Sequence, residues 1–251
     1  MGRFAGMTAP YIPDRPAALF LDFDGTLVEL AETPDGVDVP PRLAWLLGRL
    51  SARVDGALAF ITGRSIADLD TLLKAPAFAA AGVHGGEWRQ ADGDVETHDG
   101  EPFDKERETV AAFAAQDERF IVEQKSGGIT IHFRRAPERE ADAETAMRDA
   151  FADRPDFEIL SGHMMWEARR VGVHKGAGIE RLMAKPPFTG RTPIFIGDDR
   201  TDEDGFATIN EMGGLSIKVG EGETLATARL PDIPAVYAYL ERLAAPGSDF
   251  Q

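Results

Sequence analysis

Short runs of apolar residues alternate with helically spaced apolar positions at both ends of the chain. The runs that predict buried strands are Ala17–Phe23, Ala57–Ile61, Phe78–Val83, Pro193–Ile196 and Leu215–Val219. Helices are predicted where apolar residues recur every three or four positions, at Pro41–Arg53, Ser65–Leu73 and Lys175–Ala184. Short apolar strands that alternate with helices are typical of a parallel sheet that helices cover on both faces.

The middle of the chain groups its strands in pairs, separated by helices. A hairpin is predicted over Glu87–His98, further strands at Phe120–Lys125, Ile129–Arg134, Phe157–Leu160 and Met164–Ala168, and helices at Asp104–Asp117 and Pro137–Ala152. Small residues at 126–128 and 161–162 suit hairpin turns. We therefore predict an α+β domain over residues 86–170, inserted into an α/β domain formed by residues 16–85 and 171–251. Residues 1–15 are predicted to form a flexible arm.

The composition excludes several classes of partner and of chemistry. Acidic residues number 43 and basic residues 27, which gives the 251-residue chain a formal net charge of −16. Nucleic acids and anionic membranes bind basic surfaces, so neither is an expected partner. No apolar stretch reaches the ~18 residues of a membrane span or forms the core of a secretory signal. The absence of cysteine excludes disulfides, thiol catalysis and thiolate metal sites. We expect a cytoplasmic monomer that acts on a small molecule.

Two carboxylates stand two residues apart where the first predicted strand ends, in the motif Asp22-Phe23-Asp24-Gly25-Thr26. Parallel sheets bind ligands at this edge, and residues i and i+2 of a strand share a face. Asp22 and Asp24 can therefore converge on a hard cation such as Mg²⁺, or one can attack phosphorus while the other transfers a proton. Gly25 lets the backbone amide approach a phosphate. The simpler alternative is a solvated turn, since Asp and Gly are common turn residues.

Two further junctions carry residues suited to binding an anion. Thr62, Gly63 and Arg64 end the second predicted strand, where a hydroxyl and free amides at a helix start can bind phosphate. Lys175 opens a later helix, where its ammonium can pair with a phosphate and with a nucleophilic carboxylate. Each signal is weak alone, because such junctions are commonly structural and lone lysines are commonly solvated.

A dense acidic segment follows the strand at Pro193–Ile196. It contains Asp198, Asp199 and Asp202. Carboxylates crowded at a strand end repel one another, and a cation would offset that repulsion. An acidic first turn of a helix, which the helix dipole favours, explains the later members of the segment but explains the Asp198–Asp199 pair poorly.

The order of these four motifs resembles the haloacid dehalogenase superfamily of phosphotransferases. The resemblance implies a Rossmann-like parallel-sheet core with an inserted α+β cap of the C2 type. It implies that Asp22 forms an aspartyl-phosphate and that Asp24 serves as acid and base. Thr62 and Lys175 would hold the phosphate.

The same resemblance implies Mg²⁺ as the cofactor. Asp22 and Asp198 would bind the ion together with the backbone carbonyl of Asp24. Asp199 and Asp202 would order its water shell.

Longer segments are similar to trehalose-6-phosphate phosphatases of the bacterial type. They are DGALAFITGRSIADLD, AGVHGGEWR, IHFRRAP and GRTPIFIGDDRTDEDGF, and the similarity extends from about Ala17 to Leu243. It implies hydrolysis of trehalose 6-phosphate, the last step of trehalose biosynthesis. The family often has a proline at the position of Arg170, where this chain departs from its pattern.

Recognition of a neutral sugar needs polar groups beside the phosphate site. The candidates are Gly25, Gly63, Arg64, His84, Glu87 and Trp88 in the core motifs and at the entry to the insert, and Lys125, His132, Arg134, Glu167 and Arg169 in the insert. The strand period places His132 with Arg134, and Glu167 with Arg169, on one face, and the Trp88 ring could cover a sugar. The resemblance favours Lys125, His132 and Glu167, because the family's cap carries the same residue types at matching points.

The sequence leaves other functions open. A phosphatase on a related capped scaffold would act on sucrose phosphate or mannosyl-phosphoglycerate. A phosphosugar mutase would use the same aspartyl chemistry. A non-catalytic phosphosugar sensor is the alternative outside the enzymes, although a sensor needs no nucleophile.

Overall fold

The computed structural model describes residues 10, 16–30, 36–74, 78–91, 93–98, 100–125, 127–162 and 164–245, with the side chain of Lys125 outside the described part. The arm predicted at residues 1–15 therefore lies outside the described residues, except for residue 10. Described residues up to Thr97 and from His174 onward form one compact unit, and those between His98 and Val173 form a second.

Both units contain strands and helices. The strands are β1 (Ala17–Leu21), β2 (Leu58–Ile61), β3 (Ala79–Gly82), β4 (Glu87–Arg89), β5 (Glu96–Thr97), β6 (Ile121–Lys125), β7 (Gly128–His132), β8 (Phe157–Gly162), β9 (Met165–Arg170), β10 (Thr192–Gly197), β11 (Leu215–Val219) and β12 (Ala228–Leu230). The helices are α1 (Pro41–Arg53), α2 (Ile66–Leu73), α3 (Asp104–Ala114), α4 (Glu140–Ala150), α5 (Lys175–Met183), α6 (Glu203–Glu211) and α7 (Ile233–Leu243). The predicted helices and strands are confirmed, with ends that shift by a few residues. Within the described chain, no helix combines the length and the apolar character that crossing a membrane requires.

The first unit is built on one eight-stranded sheet with the order β12-β11-β10-β1-β2-β3-β4-β5. The six strands from β12 to β3 are parallel, and β4 and β5 are antiparallel to their neighbours. Strand β1 lies between β2 and β10, so the chain extends the sheet on both sides of it. Open α/β sheets bind ligands at the carboxyl ends of the strands around such a point. The predicted α/β fold class is confirmed.

Burial explains why these runs form strands. Every residue of β1 and of β2 is buried, as expected for a sheet covered on both faces. Helix α1 contributes Leu43, Leu46, Leu47 and Leu50 to the same core. Full burial of such a side chain stabilises the fold by about 1.5–3 kcal/mol. The packed core therefore fixes the strand ends that carry the motifs.

The second unit begins later than the predicted insert. The prediction assigns residues 86–97 to the insert, whereas β4 pairs with β3 and extends the sheet of the first unit. The connection from Gly82 to Glu87 consists of residues 83–86 only. So short a connection makes a hairpin, which forces β4 to pair antiparallel with β3. The second unit accordingly spans His98–Val173 instead of residues 86–170.

The second unit combines an antiparallel sheet with two helices. Its strand order is β6-β7-β9-β8. One face of the sheet packs on α3 and α4 through an apolar core that includes Ile129, Ile131, Ala168, Val110 and Met147. The opposite face, called the polar face below, carries Glu123, Thr130, His132, Glu158, Glu167 and Arg169.

Arg134 of the second unit lies differently from the prediction, and Arg170, for which the sequence predicted no contacts, is buried. Strand β7 ends at His132, and Arg134 follows in a turn, so strand alternation does not place the two on one face. Arg170 is 7 % exposed. It donates hydrogen bonds to the Asp156 carboxylate (2.7 Å) and to the Glu101 carbonyl (2.7 Å). The chain thus has a buried arginine that joins three segments of this unit.

Candidate active site

Asp22 lies at the centre of a cluster of charged side chains where β1 ends. It is only 4 % exposed, and its amide donates to the carbonyl of Ile196 in β10 (2.9 Å). Its Oδ1 accepts a hydrogen bond from Lys175 Nζ (2.8 Å), and its Oδ2 accepts one from the Thr26 hydroxyl (3.0 Å). Because both oxygens are bonded, the carboxylate is fixed in one orientation at the carboxyl edge of the sheet.

Lys175 supplies the buried positive charge of this cluster. It is the first residue of α5, and the His174 ring caps that helix by accepting a backbone hydrogen bond from its first turn (3.2 Å). Lys175 Nζ donates to Oδ1 of Asp202 (2.7 Å) as well as to Asp22, and it lies 4.0 Å from Asp199 Oδ1. One ammonium therefore faces three carboxylates.

The acidic segment forms a loop in which Asp199 and Asp202 hold the backbone. Asp202 Oδ2 accepts hydrogen bonds from the amides of Asp198 (2.9 Å) and Asp199 (3.0 Å). Asp199 Oδ1 accepts from the amide (2.8 Å) and the hydroxyl (2.7 Å) of Thr201, so Asp199 caps the turn that follows. Asp198 Oδ1 instead accepts from the Thr26 hydroxyl (3.2 Å) that also bonds Asp22. Two of the predicted metal residues thus shape the loop, and Asp198 faces the nucleophile candidate.

Burial and mutual repulsion change the pKa values of these groups. Burial raises the pKa of Asp22 to about 7 despite the opposing charge of Lys175. Burial and the charge of Asp199 raise the pKa of Asp198 to about 6, and burial with the charge of Asp22 raises that of Asp202 well above its ordinary value. Burial alone would lower the pKa of Lys175, but its carboxylate partners raise it. The site therefore holds more negative charge than its lysine balances.

This excess of negative charge suits a divalent cation. Asp22, Asp198 and Asp202 each offer a carboxylate oxygen, and the three oxygens lie within 4.8 Å of one another. Carboxylate oxygens are the ligands that Mg²⁺ prefers, so the donor set fits the predicted ion. The carboxylate of Asp24, whose backbone carbonyl was the predicted ligand, is held by Arg64. The carboxylate of Asp199, which was predicted to order the ion's water shell, accepts hydrogen bonds from Thr201.

Arg64 holds the carboxylate of Asp24 through two hydrogen bonds. Arg64 Nε donates to Oδ2 (2.6 Å) and Nη2 to Oδ1 (2.7 Å). The Thr62 hydroxyl accepts from the amide of Arg64 (3.1 Å), which tightens the loop after β2. Because β2 is next to β1 in the sheet, this loop lies beside the one that carries Asp22. A bidentate arginine fixes the orientation of the predicted acid and base.

Two glycines allow the loops of this site to approach one another. Gly25 has a φ of +78°, and a Cβ at this position would overlap the Asp198 carboxylate. A Cβ on Gly63 would lie 2.7 Å from the His84 ring. Any larger residue would therefore displace the Asp198 carboxylate or the His84 ring.

His84 belongs to a strained turn between β3 and β4. Val83, His84 and Gly85 all have positive φ values, of 51°, 54° and 98°. Non-glycine residues adopt this region only when surrounding contacts hold them there. One such contact is Arg181 Nη1, which donates to the Gly85 carbonyl (2.8 Å). The His84 ring is thereby placed against Gly63, beside the loop that was predicted to bind phosphate.

Glu87 and Trp88 make contacts within the first unit that the sequence did not reveal. Glu87 Oε1 accepts a hydrogen bond from the amide of Ile66, at the start of α2. The Arg181 guanidinium lies over the Trp88 ring, 4.3 Å from its centroid. Both side chains therefore have packing or capping partners, and a role toward a sugar stays a prediction for them.

The remaining predicted residues belong to the second unit. They are Lys125, His132, Arg134, Glu167 and Arg169. On the polar face, His132 Nε2 lies 3.1 Å from the Glu123 carboxylate, and Arg169 pairs with Glu158 (2.9 Å). Glu167 lies on the strand beside them, opposite Thr130 and Leu160. Lys125 ends β6, and its side chain lies outside the described part of the chain. A role in binding sugar stays a prediction for all five.

Thr26 belongs to the site although it was not among the predicted site residues. Its hydroxyl links Asp22 and Asp198, and its side chain is completely buried. The sequence feature that could have identified Thr26 is its position in the first motif, four residues after Asp22. A tight turn there, in which the Leu27 amide donates to the Phe23 carbonyl (2.9 Å), brings the hydroxyl back to the strand end.

Comparison with known proteins shows the family to which the chain belongs. The family model described as "Trehalose-phosphatase" matches residues 20–232. The chain is 41% identical to the "Probable trehalose-phosphate phosphatase" of Sinorhizobium fredii, over 91% of this chain and 86% of that protein. It is 39% identical to the "Trehalose-6-phosphate phosphatase" of Escherichia coli, over 90% and 86% of the two chains. The crystal structure of Aspergillus fumigatus trehalose-6-phosphate phosphatase superposes with a TM-score of 0.75 at 26% identity, covering 95% of this chain and 99% of that one. The chain therefore belongs to the trehalose-phosphatase family of the haloacid dehalogenase superfamily, a family of phosphoric monoester hydrolases.

Proposed function

We propose that the protein hydrolyses trehalose 6-phosphate to trehalose and phosphate, with Mg²⁺ and through an aspartyl-phosphate. The observation that carries the proposal is the buried Asp22 carboxylate, which Lys175 and Thr26 hold at a strand end beside Asp198. A carboxylate oriented by an ammonium, in a site with spare negative charge for a metal, suits nucleophilic attack on a phosphoryl group. The curated relatives named for this activity support the choice of substrate.

In the first step, an oxygen of Asp22 forms a bond to phosphorus while the bond from phosphorus to the sugar oxygen breaks. Asp24 donates a proton to the departing oxygen, which leaves as the trehalose hydroxyl. In the second step, Asp24 takes a proton from a water molecule, whose oxygen attacks phosphorus and releases phosphate from Asp22. The Lys175 ammonium and the Thr62 hydroxyl stabilise the charge on the phosphoryl oxygens.

Asp22 and Asp198, with the backbone carbonyl of Asp24, would hold Mg²⁺, and Asp202 offers a third carboxylate oxygen within 4.8 Å of theirs. When bound, the ion would neutralise charge on the phosphoryl oxygens and on the crowded carboxylates. Asp199 and Asp202 keep the loop that carries Asp198 in shape through their bonds to its amides and to Thr201. Arg64 fixes the orientation of the Asp24 carboxylate through two hydrogen bonds.

The polar face of the second unit is the proposed sugar-binding surface. Trehalose is neutral and rich in hydroxyls, so it requires fixed donors and acceptors. The polar face presents carboxylates, a histidine and an arginine on strands whose other face packs on an apolar core. The sequence similarity favours Lys125, His132 and Glu167 for this role. The cytoplasmic location and the monomeric state predicted from the sequence stay predictions.

A panel of phosphosugars tests the proposed function. Purified protein with Mg²⁺ should release phosphate from trehalose 6-phosphate much faster than from sucrose phosphate or mannosyl-phosphoglycerate. A mutase would instead require a bisphosphorylated sugar and interconvert phosphosugars with little phosphate release. A sensor would bind the phosphosugar without turnover. Either of the last two results would overturn the proposal.

Mg²⁺ binding should strengthen as the pH rises. The pKa values of Asp22 and Asp198, about 7 and about 6, lie above their ordinary value of 3.8. Both protons are held more tightly in the folded protein, so their contribution to stability is full below pH 3.8 and is lost as the pH rises through about 6 to 7. Mg²⁺ requires the ionised carboxylates, so the rise in Tm that it causes should grow from about pH 5 to about pH 8.

Thermal melts with Mg²⁺ and with chelator, across this pH range, provide the measurement. Asp198→Asn serves as the control, since it removes one proposed ligand and should lose most of the gain. Activity should vanish with chelator, and Ca²⁺ should inhibit, because its larger and looser coordination shell disturbs in-line geometry. A gain in Tm that is equal at all pH values would contradict a site built from these carboxylates.

Glu167→Ala should lower kcat/KM for trehalose 6-phosphate by ~10–1000-fold, as expected for lost polar contacts to substrate hydroxyls. The same variant should retain its rate on p-nitrophenyl phosphate, which needs only the phosphate site. Lys125→Ala should behave in the same way. Glu144→Ala is the matched control, because Glu144 pairs with Arg148 on α4 and lies off the polar face. A parallel loss on both substrates would show that Glu167 is structural or catalytic.

A further inference from the structure

A second lysine is buried beside the acidic loop of the active site. Lys218 lies in β11, and its register partner in β10 is Gly197, the residue before Asp198. It is 6 % exposed. Its Nζ donates to the backbone carbonyl of Asp198 and to that of Val219 (3.0 Å). The end of this side chain is therefore attached to the residue that faces Asp22.

The contacts of Lys218 are unusual for a buried ammonium. Within the described structure, its two hydrogen-bond partners are both backbone carbonyls, and neither is a carboxylate. Burial of a charge without a direct ion partner is unfavourable, and an apolar residue would fill the interior of a strand at lower cost. Packing alone therefore gives no reason for a lysine at this position, whereas the bond to Asp198 does.

Lys218 completes the set of bonds that fixes Asp198. The amide of Asp198 donates to Asp202 Oδ2 (2.9 Å), and its carboxylate accepts from Thr26 (3.2 Å). Lys218 binds the third polar group, the carbonyl. With all three groups held, the backbone of Asp198 cannot rotate without breaking a bond, so the direction of its carboxylate is fixed.

We propose that Lys218 is a positioning residue for the cation site. Its ammonium holds the Asp198 carbonyl and thereby keeps the Asp198 carboxylate directed toward the ion that Asp22 shares. The inference rests on the proposed Mg²⁺ dependence. Lys218 acts through Asp198 and touches neither the substrate nor the phosphoryl group.

Metal binding to the substrate-free protein tests this role directly. Mn²⁺ binding is measured by electron paramagnetic resonance and Mg²⁺ binding by calorimetry, on the full chain with wild-type sequence and with Lys218→Met. The variant keeps the length and apolar character of the side chain and removes the donor. Its Kd for both ions should rise by about 10–100-fold, as for other groups that orient a metal ligand. At saturating Mg²⁺, the kcat of the variant should return most of the way to the wild-type value.

Arg229→Met is the matched control. Arg229 is the register partner of Lys218 in β12 and binds the carbonyls of Gly220 and Gly222. Like Lys218→Met, this substitution deletes a cation that holds loop carbonyls. The Kd for metal should nevertheless stay within about twofold of the wild-type value. Lys218→Gln, a neutral side chain that keeps a donor, should give an intermediate Kd. This variant also serves if Lys218→Met fails to fold.

Three results would overturn the inference. A Lys218→Met protein that melts at a lower temperature but binds metal like the wild type would make Lys218 purely structural. Tighter metal binding would show that Lys218 acts as a repelling charge. A wild-type protein that binds neither ion at millimolar concentration would reject the proposed metal and this role together. The first two results leave the proposed function intact.

Discussion

Asp22→Asn is expected to abolish phosphate release from trehalose 6-phosphate, with kcat lowered by at least ~10³-fold. The amide has the shape of the carboxylate but lacks the charge that attacks phosphorus and that binds a cation. Its oxygen can still accept the hydrogen bond from Lys175, so the fold should remain intact. Steady-state phosphate release gives the rate, and circular dichroism with a thermal melt checks the fold.

Asp55→Asn is the matched control for this substitution. Asp55 precedes β2, at the opposite edge of the parallel sheet, and its side chain is 79% exposed. Its φ of 48° is one that asparagine adopts well, so activity and Tm should stay at wild-type values. Asp24→Asn provides a second comparison, since it should slow both half-reactions and let the phosphoenzyme accumulate. Near-wild-type turnover by Asp22→Asn would reject the mechanism.

The strand ends of the first unit could be predicted from the sequence because their signals are local. An apolar run followed by Asp22, or by Asp198, indicates both a buried strand and a polar residue at its carboxyl end. Parallel packing then brings separate strand ends to one edge. The structure places these two residues on either side of the Thr26 hydroxyl, as this argument requires.

The partner of Asp24 could not be predicted in the same way. Strand alternation placed Asp24 on the same face as Asp22, yet β1 ends at Leu21 and the turn that follows has no such period. Asp24 therefore turns toward Arg64, on a loop that is distant in sequence. The choice between these partners depends on the conformation of the turn, and a pattern of residue types does not specify it.

The boundary of the insert shows a similar limit. The residue types from Glu87 to Thr97 predict a hairpin, but they do not specify which of the two sheets its strands join. The short turn after Gly82 settles that question, because a strand four residues further on can only pair with the one before it. Glu87 and Trp88 accordingly make their contacts with α2 and α5, within the first unit.

Lys175→Met should impair both stability and activity. The substitution leaves Asp22 and Asp202 buried without the ammonium that bonds each of them at 2.8 and 2.7 Å. Removing one partner of a buried ion pair costs about 3–5 kcal/mol of unfolding free energy, because the remaining charge is uncompensated. The rate should fall by at least ~10²-fold, since the phosphoryl oxygens lose a cation. Urea unfolding in the presence of chelator and phosphate release measure the two effects.

The loss of stability in Lys175→Met should depend on pH in a definite direction. The pKa of Asp22 is already raised to about 7, and that of Asp202 lies well above its ordinary value. Without Lys175, which lowers both, they should rise further. Protonation then removes the uncompensated charge, so the loss should be large near pH 8 and much smaller near pH 5. A loss of equal size at the two pH values would show that Lys175 stabilises the fold by packing.

The double variant Lys175→Met/Asp202→Asn separates charge balance from catalysis. Asparagine at position 202 removes one uncompensated carboxylate. Its side-chain oxygen can still accept hydrogen bonds from the amides of Asp198 and Asp199, which bond Asp202 Oδ2 in the wild-type protein. Relative to Lys175→Met, the double variant should regain stability near pH 8 and little near pH 5. Its rate should stay low, because no cation returns to the phosphoryl group. Recovery of the rate together with stability would mean that Lys175 serves the reaction only by keeping the acidic loop folded.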